Sequence, residues 1–301
     1  MASEKAHHAT HRRYFQIAGI TVQVEADLPI TDTTFHPKFN QFAASGPGDD
    51  NIHIHHRFYL PDPVYTAPAN EIYRKLPWRI LKREDLWIYQ GIANTADGQN
   101  IYQIALINAD HTRAEIHHAN EYAFRNGGNH SLTLFPTDQI LLARVLADRD
   151  GSYFHSAGII LDHKGFLFAG HSEAGKSTLV KNLSGSAEIL CDDRIIVRKS
   201  REGFRVFGTW SHGDVQTISN RSAELSAIMF LEQAEDCRLV PLTERKEIVR
   251  RLLSLLIKPL ITGDWWEKML KLVEEISQNV PCYRLRFRKD DDLTDYLKST
   301  A

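Results

Sequence analysis

The sequence predicts two domains, a β-rich domain followed by an α/β domain. Residues 1–150 carry several runs of β-branched and aromatic residues, which favour β-strands. From residue 151 onward, strand-like runs alternate with helix-like stretches, a pattern typical of helices packed on a sheet. A chain of 301 residues is long enough for two cores, so we place the boundary between residues 150 and 151.

The strands of the first domain are indicated by apolar runs and by the turns between them. Residues 14–26 form one run, which Ala18-Gly19 interrupts as a predicted turn. Residues 86–93 and 101–107 form two more, and residues 94–100 predict the loop of a hairpin between them. This half contains no evident catalytic set, so we expect domain 1–150 to bind an acceptor or to act as a scaffold.

Histidines are frequent in this half but are interpreted as structural. His53, His55 and His56 flank a predicted strand, and His117-His118 form a second group. The sequence places no carboxylate or cysteine partner beside either group, so a metal site is not predicted.

The second domain, residues 151–301, shows the alternation of elements most clearly. A helix is predicted from Lys176 and another from about residue 264. The apolar runs that predict strands are residues 158–161, 166–169, 188–191, 195–197, 204–207, 227–231 and 283–287.

The overall composition argues against several classes of partner. The 36 Lys and Arg residues nearly balance 38 Asp and Glu residues, and a net charge of −2 gives no general attraction to nucleic acid or membranes. The three cysteines form no C-x-x-C pair, as expected for a reducing compartment. The first residues are polar and no apolar run could span a bilayer, so we expect a cytoplasmic protein.

A glycine-rich loop is the most specific motif. Its residues, which match G-x-x-x-x-G-K-[ST] in full, are Gly170, His171, Ser172, Glu173, Ala174, Gly175, Lys176 and Ser177, with Thr178 following. Consecutive backbone N–H groups and the start of a helix bind phosphate oxygens well. Lys176 supplies a cation for the phosphates and Ser177 a hydroxyl for Mg²⁺, so the motif predicts ATP and Mg²⁺ as cofactors.

Two carboxylates follow the next predicted strand. Asp192 and Asp193 end the apolar run at residues 188–191, where phosphoryl transfer could use a metal ligand and a base. Read in isolation, an Asp-Asp pair is a common solvated turn. His155 precedes the strand pair that leads into the loop, and taken alone it would be read as structural.

Taken together, these residues resemble the catalytic core of HPr kinase/phosphorylase, a fold similar to the nucleotide-binding core of phosphoenolpyruvate carboxykinase. The order is the same: His155, a hairpin, the phosphate loop, and a strand that ends in Asp192-Asp193-Arg194. The resemblance implies an α/β P-loop kinase core of the HPr kinase/carboxykinase type. It also implies that Asp192 is the base, that Asp193 lies near the metal with Ser177, and that His155 tunes the acidic pair.

Two departures from that family's pattern affect the expected activity. Thr178 stands where the bifunctional enzyme carries glutamate, and residues 208–214 stand where its glycine- and arginine-rich signature segment would be. We therefore predict a one-way kinase with little phosphorylase activity and do not predict HPr as the substrate.

The function predicted from these motifs is that of an ATP-dependent kinase. Its acceptor would be a serine or similar hydroxyl of a peptide, a protein or a small molecule. The alternative is a nucleotide-binding regulatory protein with little or no catalysis, and the intact Lys176, Asp192 and Asp193 favour the enzyme. The identity of the acceptor and homo-oligomerisation are left open by the sequence.

Overall fold

A computed structural model describes residues 10–62, 69–96, 98–134, 138–171, 173–259, 262–288 and 293–299. The chain divides into two compact units. Unit 1 comprises Met1–Val145 with Pro259–Thr262, and unit 2 comprises Leu146–Lys258 with Gly263–Ala301. The architecture is mixed α/β with a large sheet in each unit. Among the described residues, no helix has the length and apolar character needed to cross a membrane.

Unit 1 is built around one mixed sheet. Its described strands are β1 (Thr10–Ile17), β2 (Ile20–Ile30), β3 (Ala43–Ala44), β4 (Asn51–Arg57), β5 (Asn70–Lys75), β6 (Trp78–Arg83), β7 (Leu86–Thr95), β8 (Gly98–Ile107) and β9 (Arg113–His118). Their order in the sheet is β3-β1-β2-β4-β9-β8-β7-β6-β5. The other described elements are a 3₁₀ turn (Pro37–Phe42), helix α1 (Tyr122–Asn126) and helix α2 (Gln139–Ala147), whose last two residues are assigned to unit 2.

The two predicted turns of unit 1 have different outcomes. The turn at Ala18-Gly19 is confirmed, because both residues have positive φ and Ile17 pairs with Ile20 across it. The loop predicted over residues 94–100 is too long. Cross-strand pairing continues to Thr95 opposite Gly98, and the Thr95 hydroxyl donates to the Gly98 carbonyl, so the strands extend almost to the tip.

Unit 2 contains the second sheet and most of the helices. Its strands are β10 (Gly151–Leu161), β11 (Lys164–Ala169), β12 (Glu188–Cys191), β13 (Arg194–Ser200), β14 (Gly203–Phe207), β15 (Ser222–Gln233), β16 (Arg238–Pro241) and β17 (Cys282–Phe287). Its helices are α3 (Lys176–Leu183), α4 (Arg245–Leu255), α5 (Gly263–Asn279) and α6 (Thr294–Ser299).

The strand pairings of unit 2 determine where its loops lie. β11 pairs antiparallel with β10 and parallel with β15, and β15 pairs parallel with β17. The carboxyl ends of β11, β15 and β17 therefore lie at one edge of the sheet. Helix α3 packs on one face of this sheet through Leu179, Val180 and Leu183, in a core shared with Phe166 and Phe168.

Candidate active site

The glycine-rich loop connects β11 to α3 at the edge where the parallel strands end. Gly175, the residue before the helix, has φ of 98°, and a Cβ there would lie 3.0 Å from the ring of Phe287. Only glycine combines that backbone angle with so close a contact. The Gln233 side chain, at the end of β15, donates to the Glu173 carbonyl over 2.8 Å and holds the loop from the neighbouring strand.

Lys176 is buried beneath the loop, with 7% of its surface exposed. Its Nζ donates to the carbonyls of Gly170 and His171 over 2.8 and 3.0 Å, and it lies 3.3 Å from Nε2 of His155. Burial lowers the pKa of this ammonium group, and the carboxylates of Asp193 and Asp192 oppose the shift. The lysine is thus a desolvated cation held against the loop backbone.

Asp192 lies at the end of β12 and is 2% exposed. Its Oδ1 accepts from the backbone N–H of Gly213 over 2.7 Å. Its Oδ2 accepts from the N–H of Val215 and from the hydroxyl of Ser177, both over 2.9 Å. Asp192 therefore connects the start of α3 to the segment of residues 208–215.

Asp193 faces a different set of partners. Its Oδ1 lies 3.1 Å from Nδ1 of His155, and its Oδ2 lies 3.3 Å from Nε of Arg194. The hydrogen bond from His155, together with the charge of Arg194, holds the pKa of the Asp193 carboxyl below its usual value. The adjacent carboxylates thus point to separate neighbours, as expected where a chain leaves a strand.

Cys191 and Thr209 fix the turn around the acidic pair. Burial raises the pKa of the Cys191 thiol to about 11, so the thiol stays protonated and donates to the carbonyl of Ser211. The sulfur also accepts from the N–H of Asp193 over 3.3 Å. The Thr209 hydroxyl donates to the carbonyl of Arg194 over 2.6 Å. These bonds set the position of the segment that supplies two N–H donors to Asp192.

These side chains surround one cleft of about 440 Å³. Its lining residues are His155, Glu173, Gly175, Lys176, Ser177, Thr178, Asp192, Asp193, Gly213 and Asp214. A buried cation, backbone N–H groups at a helix start and two carboxylates suit a polyphosphate bound with a divalent cation. Within the part of the chain that is described, no three His, Cys, Asp or Glu side chains converge on a metal. A cation here would need phosphate oxygens or water as further ligands.

Comparison with known proteins identifies the family of this unit. A family model described as SynChlorMet cassette protein ScmC matches residues 131–291, more than half of the 301 residues. The chain belongs to the ScmC family. The matched residues include the glycine-rich loop, His155 and the acidic pair.

Structural comparison of the ScmC-family chain gives a weak likeness. The HPr(Ser) kinase/phosphatase from Coxiella burnetii is similar over 49% of this chain and 87% of that chain, with 10% sequence identity and a TM-score of 0.29. A score this low carries no argument about chemistry. No curated protein matches the sequence.

The site of this ScmC-family chain brings together most of the residues singled out from the sequence. His155, Lys176, Ser177, Asp192 and Asp193 line the cleft, while Ser172 lies outside the described residues. Sequence reasoning paired Asp193 with Ser177 at the metal, whereas the carboxylate bonded to Ser177 in the structure is that of Asp192.

Three residues that hold the glycine-rich loop, Asp192 or the turn after Asp192 were not singled out. They are Cys191, Val215 and Gln233, and they act through a thiol, a backbone N–H and a side-chain amide. No motif marks such groups. The two glycines at 208 and 213 were the available signal that this segment approaches another part of the chain closely.

Proposed function

We propose that this ScmC-family chain is an ATP-dependent kinase. It transfers the γ-phosphoryl group of ATP to a serine or similar hydroxyl of a peptide, a protein or a small molecule. The observation that supports this best is the convergence in one cleft of a buried lysine at a helix start, a Ser–Asp pair and a His–Asp pair. Phosphoryl transfer requires mainly positioning and neutralisation of charge, and these groups supply both.

Each cofactor has residues that would bind it. Lys176 and the N–H groups at the start of α3 would bind the phosphates, and Ser177 and Asp192 would bind Mg²⁺. ATP, when bound, supplies the phosphoryl group. Arg194 pairs with Asp193, with Nε 3.3 Å from Oδ2, and its guanidinium would offset part of the negative charge of the acidic pair.

The alternative is a nucleotide-binding regulatory protein with little or no catalysis. Such a protein needs the phosphate loop but has no use for a histidine oriented by a carboxylate next to the phosphate-binding lysine. His155 and Asp193 form that arrangement over 3.1 Å, and it favours the enzyme.

A test combines nucleotide binding with transfer. Wild type, Lys176→Ala and Lys181→Ala are incubated with Mg²⁺ and γ-³²P-labelled ATP in the presence of serine, synthetic serine peptides and protein extracts. Lys181 lies on the exposed side of the same helix, so its variant is the matched control. We expect labelled product from wild type and Lys181→Ala only.

Thermal shift with Mg²⁺ and ATP separates the alternatives. Stabilisation of wild type without any labelled product would favour the regulatory protein. Equal stabilisation of wild type and Lys176→Ala would contradict nucleotide binding at this loop.

A further inference from the structure

The side chains of Lys176 and His155 are hydrogen-bonded to each other in this structure. The three donors of a lysine ammonium group are directed at the Gly170 carbonyl, the His171 carbonyl and Nε2 of His155. An ammonium group can only donate, so Nε2 of His155 must present its lone pair. A carboxylate can only accept, so Nδ1 carries the proton that is shared with Asp193 over 3.1 Å.

These partners fix the state of the His155 ring. With Lys176 as the donor, Nε2 presents its lone pair to the lysine that would bind phosphates, and Nδ1 presents its N–H to Asp193. The side chain is 37% exposed, so the ring can be reached from the cleft.

Asp192 is poorly placed for the same role. Its two oxygens already accept three hydrogen bonds, from Gly213, Val215 and Ser177, and the residue is 2% exposed. Both oxygens of Asp192 accept hydrogen bonds. A proton placed on either oxygen would therefore face a group that is itself a donor. That contact is costly for a buried group.

We infer that His155 accepts the proton of the acceptor hydroxyl, that Asp193 orients the ring, and that Lys176 covers Nε2 until a bound polyphosphate draws the lysine away. The inference rests on the proposed kinase function and assigns the base within it. Lys176 then has two roles. When its ammonium group moves to the phosphates, it neutralises their charge and also uncovers Nε2 of His155.

The transfer step balances with these groups. The acceptor hydroxyl loses its proton to Nε2 of His155, and its oxygen forms the new bond to the γ-phosphorus. The bond from that phosphorus to the bridging oxygen breaks, and its electron pair leaves on ADP. The proton on His155 then passes to water through the exposed side of the ring, while the charge of Asp193 stabilises the transient imidazolium.

Asp192 has a different task under this assignment. With Ser177 it would hold Mg²⁺, and the N–H groups of Gly213 and Val215 keep the carboxylate in place. Asp193 acts through His155 and is a positioning residue.

The contact between Lys176 and Nε2 of His155 can be tested without knowing the acceptor. The protein is labelled with ¹⁵N-histidine, and the signals absent from His155→Ala identify His155 among the 15 histidines. We expect Mg²⁺ with a non-hydrolysable ATP analogue to shift the Nε2 signal of His155 and to leave Nδ1 bonded. If the analogue binds and the Nε2 signal does not move, the inference is overturned while nucleotide binding stands. If the analogue does not bind at all, the proposed function fails as well.

A second measurement follows the chemistry with water as acceptor. ADP release from Mg²⁺-ATP is compared for wild type, His155→Ala, His155→Asn and the exposed unit 1 control His53→Ala. Asparagine can keep the bond to Asp193 but offers no basic atom. We expect both His155 variants to lose about two to four orders of magnitude in rate, and imidazole to restore part of the loss in His155→Ala. Unchanged rates in folded His155 variants that bind nucleotide would overturn the inference.

Discussion

The hydroxyl of Ser177 donates to Oδ2 of Asp192 over 2.9 Å and joins the first turn of α3 to the end of β12. Because the same carboxylate also accepts from Gly213 and Val215, it connects a helix, a strand and a loop that are distant in sequence. Asp192 should therefore affect both stability and ligand binding.

Replacing Asp192 with asparagine should destabilise unit 2 and weaken its response to Mg²⁺. The new amide nitrogen must face a donor that the carboxylate formerly accepted, and an unsatisfied buried donor costs about 1–3 kcal/mol. Urea unfolding measures this cost, and thermal shift with ATP measured with and without Mg²⁺ gives the second effect. Asp214→Asn, at an exposed position of the same cleft, is the control. Equal stability of the two variants would show that the three bonds contribute little.

Replacing Gly175 with alanine should reduce stability and abolish stabilisation by nucleotide. The φ of 98° is unfavourable for alanine, and its Cβ would lie 3.0 Å from the Phe287 ring. Such a substitution costs more than about 1 kcal/mol. Gly185→Ala serves as the matched control, because no atom outside its neighbours lies within 4 Å of a Cβ there. If both variants unfold at the same urea concentration, the fit at Gly175 is not tight.

Unit 1 should lose stability as the pH falls below about 6.5. Nε2 of His56 lies 2.8 Å from the Leu132 carbonyl, and its Nδ1 lies 2.9 Å from Nε2 of His118. Burial lowers the pKa of His56 to about 4 and that of His118 to about 3, and each nearby histidine charge adds to the shift. Both pKa values are lower in the folded state than in the unfolded state, so the unfolded chain takes up protons first as the pH falls. The stabilisation is therefore fully present above the unfolded histidine pKa and is lost as the pH falls toward the folded pKa values.

Each of these histidines should contribute a slope of roughly 1.4 kcal/mol per pH unit within that window. Hydrogen exchange of the amides of β4 and β9, measured from pH 7 to pH 5 and corrected for intrinsic rates, follows the effect within unit 1. His118→Gln, which removes one ionisable group, should flatten the dependence, whereas His53→Ala should not. A dependence unchanged in His118→Gln would contradict the assignment.

The carboxyl of Asp193 should titrate closer to its usual range once His155 is removed. The hydrogen bond from His155 is the largest cause of its lowered pKa, ahead of the charge of Arg194. NMR titration of ¹³C-labelled aspartate in wild type and His155→Ala measures the difference. The pKa should rise in the variant, and a fall or no change would show that Arg194 and Lys176 dominate instead.

The elements that flank the phosphate loop could be predicted because their signals are local. Glycines at fixed spacing, an apolar run before them and a helix from Lys176 all lie within about twenty residues, as turn chemistry and helix periodicity require. The strands of unit 1 were found in the same way where a turn joined neighbours.

The partners of the acidic pair could not be predicted, because they depend on contacts between distant segments. Whether Asp192 or Asp193 meets Ser177 is decided by the N–H groups of Gly213 and Val215, more than twenty residues further on. The pairing of His56 with His118 has the same origin. The two histidines meet because β4 pairs in parallel with β9. Parallel strands are not joined by a tight turn, so no turn motif in the sequence indicates this pairing.

Strand β11 has neighbours on both sides, and the pairings of β11, β10, β13, β14 and β15 close into a ring. A strand enclosed in this way can exchange its amide protons only when much of the surrounding sheet opens. The glycine-rich loop therefore follows a strand that should resist partial unfolding. Denaturant that first unfolds the peripheral elements of unit 2 should not remove nucleotide binding. Binding should be lost only when the sheet itself unfolds.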